Sequence, residues 1–262
     1  MRTPFFIEET GADGVAYITL TKLETHNSLN GELIGELIDA LTGIEDDHRV
    51  RILVLTARGP SFCGGADLKW LKGMSANSVE DNILEAQRLK KLMSVLDRLT
   101  IPTIARVQGN VYGGGIGLLC CCDIVVSMAG TFYSMPEVRM GLIPAVISPY
   151  VLRSIGIRQA RRYLLTGEKM SADRALEIGL LHQVVQGDMI DLTIDGIIKD
   201  LLKAGPNALR LVKQLVSDVA GRQIDDTLLN ETAQLIAEIS ASDEGLEGIR
   251  AFLEKRDPEW PD

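Results

Sequence analysis

Two glycine clusters lie where the backbone could bind a developing negative charge. Gly64 and Gly65 lie in SFCGGADLKWL (61–71), and a glycine triplet, 113–115, lies in QGNVYGGGIGL (108–118). Each cluster follows a predicted strand and leads toward a predicted helix, whose first turn leaves N–H groups free. Glycine also permits a positive φ and the close approach of a ligand. Two such turns facing each other would form an oxyanion hole.

The common nucleotide-binding glycine motifs fit these segments poorly. Residues 113–118 lack the third glycine of GxGxxG, and no Lys-Ser or Lys-Thr follows as in a phosphate-binding loop. A single glycine cluster is explained equally well by a tight turn between a strand and a helix. Two clusters with the same arrangement favour a shared chemical role.

An oxyanion hole needs a reactive partner, and Glu137 in MPEVRMGLIP (135–144) is the best candidate. It is an acid in an otherwise apolar stretch that follows a predicted strand. Burial would raise the pKa of its carboxyl group and suit it to proton transfer. An exposed loop glutamate paired with Arg139 explains the same residues equally well. The sequence leaves both interpretations open.

Other reactive side chains near the clusters have structural explanations. Asp67 occupies a helix-capping position and Asp123 begins a strand. Cys120, Cys121 and Cys122 have no histidine nearby in sequence, and consecutive helical residues point in different directions. We therefore predict that these cysteines pack in the core.

Composition excludes several classes of protein. The 262 residues are 46% hydrophobic, which is typical of a soluble globular domain. Their net charge of −9 argues against general electrostatic binding to nucleic acid or to an anionic membrane. The most apolar window, 115–130, is shorter than the about 20 residues that span a bilayer. Scattered histidines predict no metal site, and the four cysteines predict no disulfide framework. Without an export signal at the N-terminus, a cytoplasmic location is expected.

Hydrophobic periodicity predicts an α/β first half and a helical second half. The predicted strands cover residues 15–20, 51–56, 103–109 and 123–128, and the predicted helices cover 31–46, about 80–98 and 115–122. From about residue 145 the chain is mostly helical, with helices over 171–180, 190–203, 206–219, 224–240 and 242–254. Asn30, Ser171 and Ser242 are predicted N-caps, and Pro206 suits the first turn of its helix.

Five segments together are similar to one known family. They are LTKLETHNSLN (20–30), SFCGGADLKWL, QGNVYGGGIGLLCCCDI (108–124), MPEVRMGLIP and AFLEKRDPEW (251–260). In these segments the whole chain resembles the crotonase, or enoyl-CoA hydratase/isomerase, superfamily. The resemblance implies an α/β fold, with a crotonase-like spiral of ββα units in residues 1–195 and a C-terminal helical oligomerisation region in residues 196–262. It also implies a homotrimer or a dimer of trimers.

The resemblance assigns roles to the clusters residue by residue. The backbone N–H groups of Ala66 and Gly114 would donate to the thioester oxygen of an acyl-CoA substrate, and Glu137 would lie beside its α and β carbons. Ordinary hydratases of the family have a second glutamate at the position of Gly117, which has no side chain to hold a water. This departure argues against a hydration mechanism that uses two carboxylates. With one glutamate, the chain resembles the Δ3,Δ2-enoyl-CoA isomerases of the family.

The resemblance also implies contacts with CoA, which is part of the substrate, and no separate cofactor. The matching loops and the C-terminal helix contribute Lys22, His26, Ser28, Gly64, Asp67, Lys69, Phe252 and Lys255. Lysines 22, 69 and 255 would supply positive charge for the CoA phosphates, the last from a neighbouring subunit. Phe252 would pack on the adenine side of the same boundary.

Three segments are most similar to bacterial methylglutaconyl-CoA hydratases of leucine catabolism: FCGGADLKWL, PEVRMGLIPAVISPYV (136–151) and EGIRAFLEKRDPEW (247–260). This predicts hydration of 3-methylglutaconyl-CoA to 3-hydroxy-3-methylglutaryl-CoA, with Lys69 or Arg139 near the distal carboxylate. The alternatives are a general enoyl-CoA hydratase, an isohexenylglutaconyl-type hydratase or a Δ3,Δ2-enoyl-CoA isomerase. A non-catalytic or RNA-binding role is a further alternative, which the negative charge and the lack of a basic helix disfavour.

Overall fold

The computed structural model describes residues 1–260 and divides into two compact units. The first unit comprises residues 1–99 and 103–196, and the second comprises residues 100–102 and the chain from residue 197 onward. All strands of the described chain lie in the first unit.

The strands are short, and several have only two or three residues. In chain order they are β1 (Phe6–Thr10), β2 (Val15–Leu20), β3 (Ile52–Ala57), β4 (Ser61–Cys63), β5 (Thr103–Val107), β6 (Asn110–Tyr112), β7 (Ile124–Met128), β8 (Phe132–Ser134), β9 (Met170–Ser171) and β10 (Gln183–Val185). The helices are α1 (Gly31–Asp46), α2 (Leu68–Met74), α3 (Val79–Arg98), α4 (Gly114–Cys121), α5 (Ser148–Thr166), α6 (Ala172–Glu177), α7 (Ile190–Lys203), α8 (Pro206–Val219), α9 (Asp226–Ser240) and α10 (Asp243–Glu254).

Two sheets form the centre of the first unit. The larger sheet has the strand order β1-β2-β3-β5-β7-β10, in which only the β1–β2 pair is antiparallel. The smaller sheet has the order β4-β6-β8-β9, in which β4, β6 and β8 are parallel. The strands of the larger sheet are mostly apolar and buried, as expected for a parallel sheet covered on both faces.

A ββα unit repeats three times and joins the two sheets. In β3-β4-α2, β5-β6-α4 and β7-β8-α5, the first strand belongs to the larger sheet and the second to the smaller sheet. Because β4, β6 and β8 are parallel neighbours, the segments that follow them leave the same edge of the smaller sheet. Both glycine clusters and Glu137 lie in those three segments.

Polar side chains set the starts of the helices. Asn30, Asp67, Ser78, Ser171 and Ser242 each accept a hydrogen bond from a backbone N–H in the first turn of α1, α2, α3, α6 and α10 respectively. The caps predicted from the sequence are therefore confirmed. The predicted helices 31–46, 190–203 and 206–219 coincide with α1, α7 and α8.

The second unit contains a buried carboxylate at a helix start. Glu244 on α10 is buried and accepts the backbone N–H groups of Asn207 and Ala208, at 3.0 and 2.7 Å. These N–H groups belong to the first turn of α8, where the helix dipole favours a negative charge.

Within residues 1–260, no helix has the length and apolar character needed to cross a membrane.

Candidate active site

A cavity of about 860 Å³ lies where the segments after β4, β6 and β8 meet. Its wall contains the backbone of residues 64–66 and 113–114, the Glu137 side chain and the apolar stretch 140–147. A cavity of this volume is large enough for a drug-sized ligand. The parallel order of the three short strands is what brings these distant segments into one wall.

Ala66 has a free backbone N–H at this cavity. Leu29 and Ala66 form a parallel bridge in which Leu29 N–H donates to Gly65 O at 2.7 Å and Asp67 N–H donates to Leu29 O at 2.8 Å. Successive backbone groups of an extended chain point in opposite directions, so the N–H of Ala66 points away from Leu29. It donates to no backbone acceptor within residues 1–260 and remains available to a ligand.

The loop that carries Leu29 is held by Asn27. His26 and Asn27 both have left-handed backbones, with φ values of 53° and 55°. Asn27 is buried, and its Nδ2 donates to Arg58 O at 3.0 Å and to Ser61 O at 2.9 Å. These bonds hold an unfavourable loop conformation that places Leu29 against Ala66. Sequence reasoning missed this role for Asn27.

Gly114 supplies a second free N–H. It is the first residue of α4, so its N–H has no intrahelical acceptor, and no other backbone acceptor within residues 1–260 receives it. Gly113 precedes it with φ 49° and donates to Ser134 O at 3.0 Å. A methyl group on Gly113 would lie 3.8 Å from the Cα atom of Gly65. The two glycine turns therefore lie against each other at the cavity.

Glu137 is half-buried beside the second glycine turn. Its Oε1 lies 2.8 Å from the position that a methyl group on Gly113 would take, and its Oε2 is buried with no hydrogen-bond partner among the described residues. Burial removes water from the carboxylate and raises its pKa, against a smaller lowering by its own backbone N–H. Arg139 instead contacts Thr166 O at 3.4 Å. The alternative in which an exposed Glu137 pairs with Arg139 is therefore wrong.

The space beside Gly117 is filled by apolar side chains. A methyl group on Gly117 would lie 2.4 Å from Cγ2 of Ile147 and 3.1 Å from Sδ of Met93. Both neighbours are buried. A second glutamate at this position would have no room, so the cavity wall is built around one carboxylate.

Among the residues that the structure describes, the cavity wall has one carboxyl group and no cation. Glu137 is its only acid, and no lysine, arginine or histidine belongs to the described wall. Lys69 and Arg139, which the sequence offered as cations for a substrate carboxylate, are exposed and lie outside the wall. The wall is otherwise mostly apolar, so it suits an apolar chain next to one titratable group.

Three of the predicted CoA-contacting residues, Lys22, His26 and Ser28, lie in the segment between β2 and α1. The Nζ atom of Lys22 lies 4.3 Å from the centre of the Phe5 ring. His26 Nδ1 is 3.2 Å from the Ser61 hydroxyl, and Ser28 is buried. None of the three predicted residues lines the cavity within the described chain.

The remaining predicted CoA-contacting residues differ in their surroundings. Gly64 lines the cavity and donates its N–H to His26 O at 2.8 Å. Asp67 is buried, and its carboxylate accepts the Lys69 N–H at 2.8 Å as the cap of α2. Phe252 and Lys255 lie in the second unit and are exposed.

Trp70 is a wall residue that the sequence reasoning missed. It lies on α2, and its indole N–H donates to Oε2 of Glu85 on α3 at 3.0 Å. Glu85 also forms an ion pair with Arg88 at 3.0 Å. A single tryptophan in a short helix that also carries Lys69 and Lys72 gives no signal that distinguishes a cavity wall from ordinary packing.

The cysteines are packing residues, as predicted. All four are buried and stand outside the disulfide-bonded state. Burial raises the pKa of the Cys63 and Cys120 thiols to about 11, so both are protonated at neutral pH and unsuited to nucleophilic attack. Within residues 1–260, no group of three or more His, Cys, Asp or Glu side chains could hold a metal ion.

The chain is similar in sequence and in fold to known proteins. The putative enoyl-CoA hydratase of Thermus thermophilus is 32% identical over 94% of this chain and 97% of its own length. The crotonyl-CoA hydratase of Syntrophomonas wolfei is 31% identical over 92% of each chain. The crystal structure of an enoyl-CoA hydratase from Shewanella pealeana superimposes with a TM-score of 0.94 and 39% identity, over 98% of this chain and 96% of that chain.

The solved structure confirms the predicted α/β crotonase fold with its C-terminal helical region. The family described as "Enoyl-CoA hydratase/isomerase" matches residues 10–262, which is nearly the whole chain. The free amides of Ala66 and Gly114 and the buried Glu137 carboxylate thus lie in a chain that belongs to the enoyl-CoA hydratase/isomerase family.

Proposed function

We propose that this chain hydrates the double bond of an enoyl-CoA thioester with Glu137 as its single acid–base side chain. The observation that carries the proposal is the packing around Gly117. Ile147 fills the space that a second carboxylate would need, so Glu137 has no carboxylate partner. The relatives described above are named as hydratases, which supports addition of water.

The reaction balances with one carboxylate. The N–H groups of Ala66 and Gly114 bind the thioester oxygen, and losing one such donor typically costs about 3 kcal/mol of transition-state stabilisation. The Glu137 carboxylate takes a proton from water as the water oxygen bonds to the β carbon, and the electron pair of the double bond moves toward the thioester oxygen. The carboxyl group then gives that proton to the α carbon. Glu137 ends in the state in which it began.

Binding of CoA is proposed to involve residues outside the cavity. Lys22 and Lys69 would meet the CoA phosphates, because an acidic chain must supply positive charge locally. Phe252 and Lys255 of a neighbouring subunit would complete the site in a trimer or a dimer of trimers. The 82% exposure of Phe252 supports this role, because a large exposed aromatic side chain is typical of an interface.

The proposed acyl group is 3-methylglutaconyl, on the strength of the resemblance of residues 136–151 and 247–260 to methylglutaconyl-CoA hydratases. The distal carboxylate of that substrate would stand in for the missing glutamate at Gly117 and help to position the water. Exposed rim residues such as Ile143, 74% exposed, show that the cavity opens to solvent there. A substrate carboxylate near the rim can stay hydrated.

A second candidate is a hydratase or a Δ3,Δ2-isomerase for an uncharged acyl chain. The observation that favours it is the absence of any cation from the described cavity wall, since an anionic substrate group buried there would lose water without gaining a partner. An isomerase also needs only one base, which moves a proton from the α carbon to the γ carbon.

A three-substrate panel separates these candidates. We expect purified protein to consume the conjugated thioester of 3-methylglutaconyl-CoA faster, by kcat/KM, than that of crotonyl-CoA. The measurement is the loss of ultraviolet absorbance, with 3-hexenoyl-CoA as the third substrate. Preference for crotonyl-CoA would favour the uncharged-chain hydratase. A rise in absorbance with 3-hexenoyl-CoA alone would identify an isomerase and overturn hydration.

The Trp70–Glu85 hydrogen bond is expected to shape substrate binding. Glu85→Ala leaves the indole N–H without its acceptor and frees a wall side chain, and the loss of such a bond costs about 1 kcal/mol. We expect KM for the preferred enoyl-CoA to rise about fivefold, since a loss of about 1.4 kcal/mol in binding free energy weakens affinity tenfold. The value of kcat should be nearly unchanged. Steady-state kinetics give the two constants separately.

Two matched variants test whether this effect belongs to Trp70. Arg88→Ala removes the ion pair of Glu85 but keeps the bond to the indole, so KM should stay near that of the wild type. Glu85→Gln keeps an acceptor oxygen and should restore most of the binding. An equal rise of KM in Arg88→Ala and Glu85→Ala would assign the effect to the ion pair instead.

A further inference from the structure

A second cavity of the first unit, about 590 Å³ in volume, is lined largely by arginines. Its six lining residues are contributed by α5 and α6: Ile157, Arg158, Gln159, Arg161, Arg162 and Arg174. Four of the six are arginines and none is acidic, although the whole chain carries a net charge of −9. This arginine cavity is distinct in its residues from the cavity at Glu137.

Two of the arginines are held in fixed positions. Arg174 donates to Tyr163 Oη at 2.9 Å, to Glu177 Oε2 at 2.8 Å and to Gln159 Oε1 at 2.9 Å. Arg162 forms an ion pair with Glu168 at 2.6 Å, and its guanidinium lies 5.3 Å from the centre of the Tyr163 ring. These contacts orient both guanidinium groups before any ligand arrives.

The other two arginines lack such contacts within residues 1–260. Arg158 and Arg161 are exposed and make no hydrogen bond or ion pair with another residue of the described chain. Glu168 and Glu177 offset the charges of Arg162 and Arg174, so two positive charges at the cavity are uncompensated. Two uncompensated guanidinium groups at one cavity repel each other, and an anion between them would relieve that repulsion.

We propose that the arginine cavity binds the phosphate groups of a nucleotide. The planar guanidinium fork matches phosphate oxygens in pairs, which makes arginine the preferred residue for this group. The volume lies within the range of about 300–1,000 Å³ that is typical of small-molecule sites. Ile157, 68% exposed, gives the lining an apolar surface for a base. The nucleotide is one free in solution, because the phosphates of CoA are proposed above to meet Lys22, Lys69 and Lys255.

Binding of adenosine 3′,5′-bisphosphate, ATP and inorganic pyrophosphate to the intact protein tests the site. Isothermal titration calorimetry of Arg158→Gln/Arg161→Gln should show at least tenfold weaker binding than the wild type for the best of these ligands. Arg2→Gln/Lys199→Gln removes the same charge from exposed positions elsewhere and should bind as the wild type does. Equal weakening in both double variants, or no binding of any of the three ligands to the wild type, would overturn the proposal.

Kinetics with the preferred enoyl-CoA identify the source of the nucleotide. A KM that rises in Arg158→Gln/Arg161→Gln in parallel with the weaker binding of adenosine 3′,5′-bisphosphate would place the CoA portion in this cavity and overturn the proposal of a free nucleotide. If it holds a free nucleotide, binding is lost and KM is unchanged. Neither result depends on the reaction assigned to Glu137, because Glu137→Gln should bind all three ligands as the wild type does.

Discussion

Glu137→Gln is expected to lower kcat by about 10²–10⁴-fold, the usual contribution of a general acid–base group. The amide keeps the size of the side chain but can neither accept a proton from water nor return one to the α carbon. Binding of an enoyl-CoA should change little, because the thioester oxygen is bound by backbone N–H groups of Ala66 and Gly114. Stopped-flow absorbance gives kcat, and calorimetry with a non-reacting acyl-CoA gives the affinity.

Glu36→Gln is a matched control for this variant. The Oε2 atom of Glu36, on α1, is also buried without a hydrogen-bond partner in the described chain, but Glu36 is not in the cavity wall. Its replacement removes a comparable carboxylate and should leave kcat within twofold of the wild type. Wild-type turnover in Glu137→Gln, or equal losses in both variants, would contradict the proposed mechanism.

Glu137→Gln is also expected to stabilise the folded protein at pH values above the ordinary pKa of a glutamate. Burial raises the folded-state pKa of Glu137 above that of an exposed glutamate, so folding favours its protonated form. The resulting stability is present below the unfolded-state pKa and is lost as the pH rises through the folded-state pKa. Glutamine carries no charge and avoids this loss. Urea denaturation of both proteins should show a gap that opens as the pH rises from 4 to 8.

The raised pKa also sets the expected pH dependence of catalysis. The first step needs the carboxylate form, so kcat/KM should fall as the pH drops through the pKa of Glu137 in the free enzyme. Because that pKa is raised, the fall should occur at a higher pH than for an exposed glutamate. A profile that is flat down to pH 4.5 would contradict the assignment of Glu137 as the base.

The sequence identified residues that line the cavity more readily than the short strands that position them. Both glycine clusters and Glu137 could be identified because glycine turns and an acid in an apolar stretch have local signatures. The strands that bring them together, β4, β6 and β8, have three residues each, which is too short for an alternating pattern to be recognised. Their parallel pairing is a non-local contact that no single segment encodes.

Burial was the property that the sequence left open. Glu137 was equally compatible with an exposed ion pair and with a buried base, because the neighbouring residues in space decide between the two. The filling of the Gly117 site by Ile147, 30 residues later in the chain, could not be predicted for the same reason. The arginine cavity could not be predicted from the negative net charge, and its lining, from residue 157 to residue 174, comes together only when α5 and α6 fold against each other.

Gly117→Glu is expected to unfold or severely destabilise the protein. The first side-chain carbon would lie 2.4 Å from Cγ2 of Ile147, and the carboxylate would be buried among apolar side chains without a partner. Overpacking alone costs about 1–3 kcal/mol, and an unpaired buried charge adds several more. Gly117→Ala introduces only the first carbon and should lose about 1–3 kcal/mol while remaining folded. Urea denaturation measures both losses.

The double variant Gly117→Glu/Ile147→Gly tests whether the Ile147 side chain is what prevents a glutamate from fitting at residue 117. Removing the Ile147 side chain clears the atoms that would clash with residue 117, so the double variant should be more stable than Gly117→Glu alone, despite the cavity that the glycine leaves. With a second carboxylate available to hold water, hydration of crotonyl-CoA should rise relative to that of 3-methylglutaconyl-CoA, whose own carboxylate is proposed to do this in the wild type. Wild-type stability of Gly117→Glu would show that residue 147 moves aside readily, and the one-carboxylate mechanism would then lose its structural basis.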